Sequence, residues 1–539
     1  MTNLSTLDLV IVISWIVFMM AFGIWISITS KKDTANDYFL AAKSLPWWAV
    51  GGSLIAANIS AEQFIGMSGS GYAVGFGIAS YELMAAITLL IVAKYFLPIF
   101  LKKEIYTMPQ FLESRFDHRV KTGLAIFWVL LFVFVNITAV LYLGSLALNK
   151  IIGIPMIWAI IGLAIYAATL SVTGGLKAVA MTDVVQVVAL ILGGLIASYM
   201  LLDAVGGGFF SGLAALVEKA PEKFDMILDK SNPEYMNLPG ISVLIGGMWI
   251  ANLYYWGTNQ YIIQRSLASK SLQEAQEGTA AAAIVKVILP IIVVIPGIAA
   301  YVLGAEISKP DEAYPWVVSN YLGSGIKGIA VAALIAAIGG SVASIVNSSS
   351  TIFTLDIYKP LFMRKSTGSI SASKNPDDKS QPLTAKEELE MVRVGKLASL
   401  VAILIGLFIA PSLGNLQQAF QYIQEYTGFV SPGIVAIFML GLFWKKTSTT
   451  AAWVAVVLSV PLSLGFKILT PGIPFMDRMG LCFLLIAGIM IAISYYQNRD
   501  KDDYKAIYYD RSLFHTSTKF NIMSLLVIVS VSSIYYFFW

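Results

Sequence analysis

Two residues of opposite charge lie inside long apolar segments of the sequence. Glu82 follows Tyr81 in IASYELMAAITLL, and Lys286 lies in AAAIVKVILPIIVVIPG. A charged side chain in hydrocarbon is costly, so each of the two needs a partner or a water-filled cavity. An acid–base pair that lines such a cavity both accepts and donates hydrogen bonds, which is what a sugar hydroxyl requires. A purely structural ion pair is the alternative interpretation.

A polar cluster interrupts the apolar stretch LIAANISAEQFIGMSGSGY, residues 54–72. The cluster consists of Asn58, Ser60, Glu62, Gln63 and Ser68, with Gly66, Gly69 and Gly71 among them. Glycines weaken a helix, and an unwound segment near the centre of a membrane exposes backbone carbonyls that suit a small hard cation. Packing of neighbouring helices through small and polar residues is the alternative interpretation.

A second interrupted segment, GGMWIANLYYWGTNQY, has Asn252, Tyr255, Trp256 and Asn259 near its middle. Interrupted helices at corresponding positions of two halves are typical of a transporter site, and an odd number of spans in each half makes the repeats inverted. Gln63, Asn252 and Gln424 add neutral donors and acceptors to the charged pair. The aromatic side chains offer a flat apolar face to a pyranose ring, with ordinary packing as the alternative; they are Tyr255, Trp256, Phe420 and Tyr422.

The composition places these residues in a membrane. Of the 539 residues, 57% are hydrophobic and 13% are charged, whereas a soluble domain has about 25% charged residues. Apolar runs of about 20 residues, the length of a membrane-spanning helix, recur along the chain. We predict an all-α polytopic membrane protein with about 14 transmembrane helices. The predicted spans are 7–28, 48–72, 75–101, 122–148, 153–173, 181–205, 240–262, 277–305, 325–358, 393–411, 418–444, 449–469, 477–496 and 518–538.

The sequence has no signature of an enzyme. It lacks a phosphate-binding glycine loop, so active transport by this chain has to draw on an ion gradient. Its two histidines, His118 and His515, lie near predicted cytoplasmic segments, and its single cysteine, Cys482, allows no internal disulfide. Lys and Arg concentrate in every second loop, which predicts a multi-pass protein of the plasma membrane with both termini outside. The basic loops therefore need no nucleic-acid partner.

The sequence resembles the sodium/solute symporter family, and in particular bacterial members of its sodium/glucose (galactose) cotransporter branch. The motifs behind the resemblance are DYFLAAKSLPWWAVGGSLIAANISAEQFIGMSGSGY, ANLYYWGTNQYIIQR, FTLDIYK and QAFQYIQEYTGFVSPG, and the similarity extends over essentially the whole chain. The resemblance implies a five-plus-five inverted-repeat core of the LeuT type, sodium-driven alternating access and a mid-membrane site for a neutral monosaccharide.

The resemblance also divides the chain. It implies an N-terminal extra span with the first cytoplasmic loop (1–47), a first inverted repeat (48–205), an outside loop (206–239), a second inverted repeat that contains the cytoplasmic loop 362–391 (240–444), and three C-terminal spans (445–539).

The family assigns roles to individual positions. Polar side chains that hold the sugar match Gln63, Glu82, Asn252, Lys286 and Gln424, and an aromatic inner gate matches Tyr255, beside Trp256. An outer gate matches Met67 and Phe420, next to Tyr81, and supporting polar residues match Asn58 and Asn136. The sodium site matches the carbonyls of Ala56, Ile59 and Ala337 and the hydroxyl of Ser341, with Asp183 on the exit route.

Two positions depart from the family. Ala85 replaces a serine that contacts the sugar, and Gly340 replaces a second serine of the sodium site. These departures leave the particular sugar and the sodium affinity open, along with the stoichiometry and the oligomeric state. One alternative is a symporter of the same fold for a polyol, an organic acid or an amino acid, although the Glu82 carboxylate disfavours anionic solutes. Another alternative is a channel or a sugar sensor.

Overall fold

The computed structural model describes residues 4–29, 35–105, 107–363, 384–415, 419–499 and 501–539. These residues form helices and connecting turns, with one isolated backbone bridge between Leu45 and Ser269 and no strand among them. The all-helical prediction is therefore confirmed. Most of the predicted loop 362–391 lies outside the described residues.

The predicted spans fall on helices that we number α1 to α14. They are α1 Thr6–Thr29, α2 Trp47–Asn58 resuming as Glu62–Met67 and Ser68–Ala73, α3 Phe76–Lys102, α4 His118–Ile152, α5 Met156–Ser171, α6 Gly175–Gly206, α7 Gly247–Leu253 continuing as Tyr254–Thr258 and resuming as Gln260–Leu267, α8 Leu272–Val302, α9 Ile326–Phe362, α10 Lys386–Gly414, α11 Phe420–Thr427 with Ser431–Phe443, α12 Thr449–Leu469, α13 Phe475–Gln497 and α14 Thr518–Phe537.

Ten of the described helices are each long and apolar enough to cross a bilayer, and α11 makes an eleventh if its two parts, which meet at 49°, form one span. The remaining predicted spans are the short apolar helix α5 and the interrupted helices α2 and α7. Helix α9 is the most buried of these ten helices, because 94% of the residues in its 18-residue apolar segment are buried. Helix α9 therefore lies at the centre of the helix bundle.

Helices α5 and α6 meet directly at Gly175, where the sequence predicted a loop from 174 to 180. Gly175 has φ 62° and ψ −165°, which turns the chain within one residue. A Cβ atom at Gly175 would lie 2.4 Å from the carbonyl oxygen of Tyr38. Only glycine combines this conformation with so close a neighbour, so a single residue replaces the predicted loop.

The predicted interruptions of α2 and α7 are both confirmed. In α2 the helical conformation ends at Ile59, which has φ −71° and ψ 102°, and in α7 it ends at Asn259, which has φ −78° and ψ 121°. The second half of α2 is capped by side chains, because the amide of Glu62 donates to the Ser60 hydroxyl over 3.0 Å. The amide of Ser60 in turn donates to the Gln63 side-chain oxygen over 3.0 Å.

The glycines of the polar stretch do not form the break. Gly66, Gly69 and Gly71 all lie within the resumed helix. A Cβ atom would lie 2.7 Å from the Cβ of Phe420 if it were added at Gly66, and 2.5 Å from the carbonyl oxygen of Val294 if it were added at Gly71. These glycines allow α8 and α11 to approach α2 closely, so the packing interpretation is right for them. The unwound segment that the cation interpretation requires lies at residues 59–61.

Candidate functional site

The two broken helices border a central cavity of about 570 Å³ between α2, α3, α7, α8 and α11. All six residues predicted to bind the sugar line it: Gln63, Glu82, Asn252, Tyr255, Lys286 and Gln424. The predicted neighbours Asn58, Tyr81, Trp256 and Phe420 line it as well. A mixed polar and aromatic lining is typical of small-molecule sites.

The charged residues meet at this cavity. The Lys286 ammonium pairs with the Glu82 carboxylate, and the two side chains are 1% and 4% exposed. The same ammonium donates to the side-chain oxygen of Asn58 and lies 5.0 Å from the centre of the Trp256 ring. Because each charge has an opposite partner, the pair is tolerated in the bundle interior, whereas either charge alone would be costly.

Asn58 links the ion pair to α7. While its oxygen accepts from Lys286, its amide nitrogen donates to the Tyr255 hydroxyl over 3.1 Å. One chain of contacts thus runs from α3 through α8 and the end of the first half of α2 to the interrupted part of α7. A displacement of either broken helix alters the contacts of the ion pair.

The neutral polar residues keep groups available for a ligand. The Gln63 oxygen is taken by the Ser60 amide and hydroxyl, at 3.0 and 3.2 Å, which leaves the Gln63 nitrogen to donate. Asn252 donates to the carbonyl of Met248 over 3.1 Å, which leaves its oxygen to accept. The cavity therefore presents both donors and acceptors, as a polyhydroxylated solute requires.

Aromatic rings surround the polar groups. The Tyr81 and Phe420 rings meet edge to face, with centroids 5.2 Å apart and planes at 80°. The Tyr255 ring meets Trp256 at 5.0 Å and Tyr261 at 5.7 Å, again nearly edge to face. In each such pair the edge of one ring meets the face of the other, and Tyr255 and Phe420 contribute apolar ring surface to the lining of the cavity.

A second group of oxygens lies where α9 passes the break in α2. The buried Ser341 hydroxyl lies 3.4 Å from each of three carbonyl oxygens, those of Ala56, Ala57 and Ile59. Ala337 lies one turn before Ser341 on α9. The expected meeting of Ser341 with the break is therefore present. The Ala57 carbonyl was not predicted, because an irregular backbone hides which carbonyls converge.

The departure at Gly340 leaves a space that Gln186 occupies. A Cβ atom at Gly340 would lie 2.2 Å from the Gln186 side-chain oxygen and 3.3 Å from a carboxylate oxygen of Asp183. Asp183 is fully buried and does not line the central cavity. Its carboxylate accepts a hydrogen bond from the Ser53 hydroxyl over 2.7 Å. It also pairs with Arg265 over 3.4 Å.

Sequence reasoning missed several of these residues. Arg265 ends the motif ANLYYWGTNQYIIQR, just beyond the predicted span 240–262, and only the structure shows that its charge is buried beside Asp183. Glu62, Thr427 and Ser431 also line the central cavity, although only Glu62 belonged to the polar stretch noticed in the sequence.

Two predicted gate and support residues do not line the cavity. Met67 is completely buried, and Asn136 is 7% exposed on α4, with no partner among the described residues for its side-chain oxygen. Their proposed roles stay predictions.

The comparisons with known proteins agree with this arrangement. The sequence profile described as "Sodium:solute symporter family" matches residues 38–374 and 378–458. The chain belongs to the sodium:solute symporter family.

Two named relatives differ in their solutes. The chain is 50% identical to the sodium/glucose cotransporter of Vibrio parahaemolyticus, with 100% of this chain and 99% of the relative covered. It is 32% identical to the mouse sodium/myo-inositol cotransporter 2, with 86% of this chain and 70% of the relative covered.

Solved structures establish the fold. A Na+-coupled sialic acid symporter in a substrate-bound outward-open state superposes with a TM-score of 0.76 at 23% identity, covering 91% of this chain and 98% of that chain. Mhp1, a nucleobase-cation-symport-1 family transporter, superposes with a TM-score of 0.55 at 15% identity, covering 87% and 96%. The chain has the LeuT-type core that the family resemblance implied.

Proposed function

We propose that this chain is a sodium-coupled symporter that imports a neutral monosaccharide of the glucose or galactose type by alternating access. The observation that supports this most strongly is the buried Glu82–Lys286 pair, which lies at a cavity lined by amides and aromatic rings. The 50% identity to a sodium/glucose cotransporter agrees with that solute class. The chain acts as a transporter and not as an enzyme in this proposal, and sodium is its coupling ion.

In this proposal the sugar lies between the two broken helices. Glu82 and Asn252 accept from its hydroxyls, Gln63 and Lys286 donate to them, and Gln424 does both. Tyr255 stacks on the ring and closes one side of the site, with Trp256 behind it. Phe420 and Tyr81 close the opposite side, with Met67 behind them, while Asn58 and Asn136 support the polar network.

Sodium is proposed to bind beside the break in α2. Its ligands are the carbonyls of Ala56, Ile59 and Ala337 and the Ser341 hydroxyl, and Asp183 lies on the route of release. The convergence of the Ser341 hydroxyl on the carbonyls of the break supports this position. A cation held between α2 and α9 favours the conformation in which the two helices are close, and it couples to sugar binding only through that preference.

A polyol is the second candidate solute. The 32% identity to a sodium/myo-inositol cotransporter favours it, and a cyclic polyol has the hydroxyls that the cavity can bind. An organic acid is disfavoured, because Glu62 and Glu82 together outnumber Lys286 among the charged groups that line the cavity.

The proposed setting is the plasma membrane of a bacterium, with both termini outside. The inverted repeats are proposed to be residues 48–205 and 240–444, with the segments 1–47, 206–239 and 445–539 outside them.

Uptake into proteoliposomes tests the proposal. Purified protein is reconstituted, and labelled glucose, galactose and myo-inositol are supplied with an inward sodium gradient or with the same concentration of choline. We expect glucose or galactose to accumulate above its outside concentration only with sodium. Sodium-dependent accumulation of myo-inositol alone would favour the polyol. Equilibration without accumulation would indicate a channel, and binding without uptake a sensor.

A further inference from the structure

A second carboxylate, that of Glu62, lines the central cavity without a partner. No hydrogen bond or ion pair reaches this carboxylate within the described part of the chain, although the Glu62 backbone amide donates to Ser60. Glu62 is also the first residue of the resumed half of α2. The positive end of the helix dipole favours a negative charge at this position, whereas burial disfavours that charge unless a positive partner is present.

The charged groups of the cavity do not balance. Two carboxylates, Glu62 and Glu82, and one ammonium, Lys286, line it. The ammonium is already engaged by Glu82 and by the Asn58 oxygen. Lys286 therefore pairs with Glu82 and not with Glu62, so the Glu62 carboxylate lines the cavity without a counter-charge.

An unpaired carboxylate disfavours some ligands and favours others. A neutral sugar that displaces water from the cavity leaves Glu62 desolvated with at most a neutral hydrogen bond. An anionic solute adds repulsion. A sugar with a protonated amino group supplies the missing positive charge, and a hydrogen bond to a charged partner is stronger than one between neutral groups.

We propose that Glu62 makes the cavity a site for protonated amino sugars in addition to neutral hexoses. This inference rests on the proposed function, because it places the amino sugar in the same cavity. The ammonium pairs with Glu62, and the ring hydroxyls bind the amides and the Glu82–Lys286 pair as a neutral sugar does. Glu62 is then a specificity-determining residue that ranks solutes by charge.

Binding and uptake of two matched sugars test the inference. Glucosamine and N-acetylglucosamine share a ring, but acetylation removes the amine charge. Each is compared with glucose, by sodium-dependent uptake into proteoliposomes and by the change in tryptophan fluorescence of the purified protein, since Trp256 lines the cavity. We expect glucosamine to bind in preference to N-acetylglucosamine, and its preference over glucose to decline as the pH rises and the amine loses its proton.

Substitution of Glu62 isolates its contribution. In Glu62→Gln we expect the affinity for glucosamine relative to glucose to fall about tenfold or more, as for the loss of a hydrogen bond to a charged group. The matched control is Glu277→Gln, which removes a carboxylate that pairs with Lys519 outside the cavity. The control should leave the ratio unchanged.

The outcomes separate this inference from the proposed function. Sodium-dependent glucose uptake without glucosamine binding would overturn the inference alone. Glucosamine binding that depends on Glu62, without uptake of any neutral sugar, would overturn the proposed function alone. If Glu62→Gln raises the sodium requirement equally for both sugars, sodium is the counter-charge of Glu62 and the inference is wrong. If Glu62→Gln does not fold, the wild-type protein still tests the inference. A preference for glucosamine over glucose that does not change with pH would overturn the inference.

Discussion

The side-chain nitrogen of Asn58 lies 3.1 Å from the hydroxyl of Tyr255, so the end of the first half of α2 is hydrogen-bonded to the interrupted part of α7. Asn58 directly precedes the break at Ile59, and Tyr255 lies in the last helical turn before the break at Asn259. Opening of the cavity on the Tyr255 side therefore requires this bond to break. Because Asn58 also accepts from Lys286, such an opening would alter the contacts of the ion pair that we propose binds the solute.

Two substitutions at Tyr255 distinguish the contribution of its ring to sugar affinity from the contribution of its hydroxyl. Tyr255→Phe removes the bond to Asn58, for which we expect a loss of about 0.5–1.5 kcal/mol, or a few-fold in apparent sugar affinity. Tyr255→Ala also removes the ring face, so its affinity should fall further. Sugar titrations of uptake in proteoliposomes compare the two variants. Equal losses in both would argue that the hydroxyl, and not stacking, is the main contribution.

The Glu82–Lys286 pair is expected to be required for transport. Glu82→Ala or Lys286→Ala should abolish uptake, and each should lower the free energy of unfolding by about 3–5 kcal/mol, because a buried charge loses its partner. Uptake and thermal denaturation are measured on the same preparations.

A double variant distinguishes binding from structure. Glu82→Gln with Lys286→Met removes both charges and should recover much of the stability while uptake stays absent. Recovery of uptake in the double variant would mean that the pair is purely structural.

The Asp183–Arg265 pair is expected to stabilise the junction of α2, α6 and α7. Both side chains are fully buried, and Arg265 also donates to the Ser53 hydroxyl over 2.8 Å. Arg265→Met should lower the free energy of unfolding by about 3–5 kcal/mol. Lys150→Met, which breaks the more exposed pair with Glu312, should change it by only about 0–1 kcal/mol. Similar thermal shifts in the two variants would contradict the prediction.

Polar residues in apolar surroundings made much of the site predictable. Glu82 and Lys286 are 204 positions apart, yet their meeting follows from the cost of an unpaired charge in hydrocarbon. The breaks in α2 and α7 follow similarly from polar clusters at mid-span. Physical necessity identified these residues, and the family resemblance added their roles.

The rest depended on details that a pattern does not contain. The rotation of a helix decides which side chains face a cavity, and for this reason Glu62 lines it while Met67 does not. The turn at Gly175 depends on the distant carbonyl of Tyr38. Likewise, the space beside Gly340 is occupied by Gln186, a contact between separate helices that one sequence does not reveal.

The sodium site is tested at Ser341 and Gly340. Ser341→Ala removes the hydroxyl that faces the carbonyls of Ala56 and Ile59. We expect it to raise the sodium concentration for half-maximal uptake by several-fold, because one oxygen ligand is worth about 1 kcal/mol when it is an ordinary hydrogen-bonding group.

Gly340→Ser restores the family's second hydroxyl, but its Cβ would lie 2.2 Å from the Gln186 oxygen. That oxygen is the end of a flexible side chain, which Tyr166 holds through a 3.3 Å hydrogen bond from the Gln186 nitrogen. We therefore expect Gly340→Ser alone to leave the sodium requirement unchanged, and Gly340→Ser with Gln186→Ala to lower it. Gln186→Ala alone is the matched control. If the double variant and this control require the same sodium concentration, position 340 is not next to the ion. Uptake that is driven by a proton gradient without sodium would overturn the proposed sodium site as a whole.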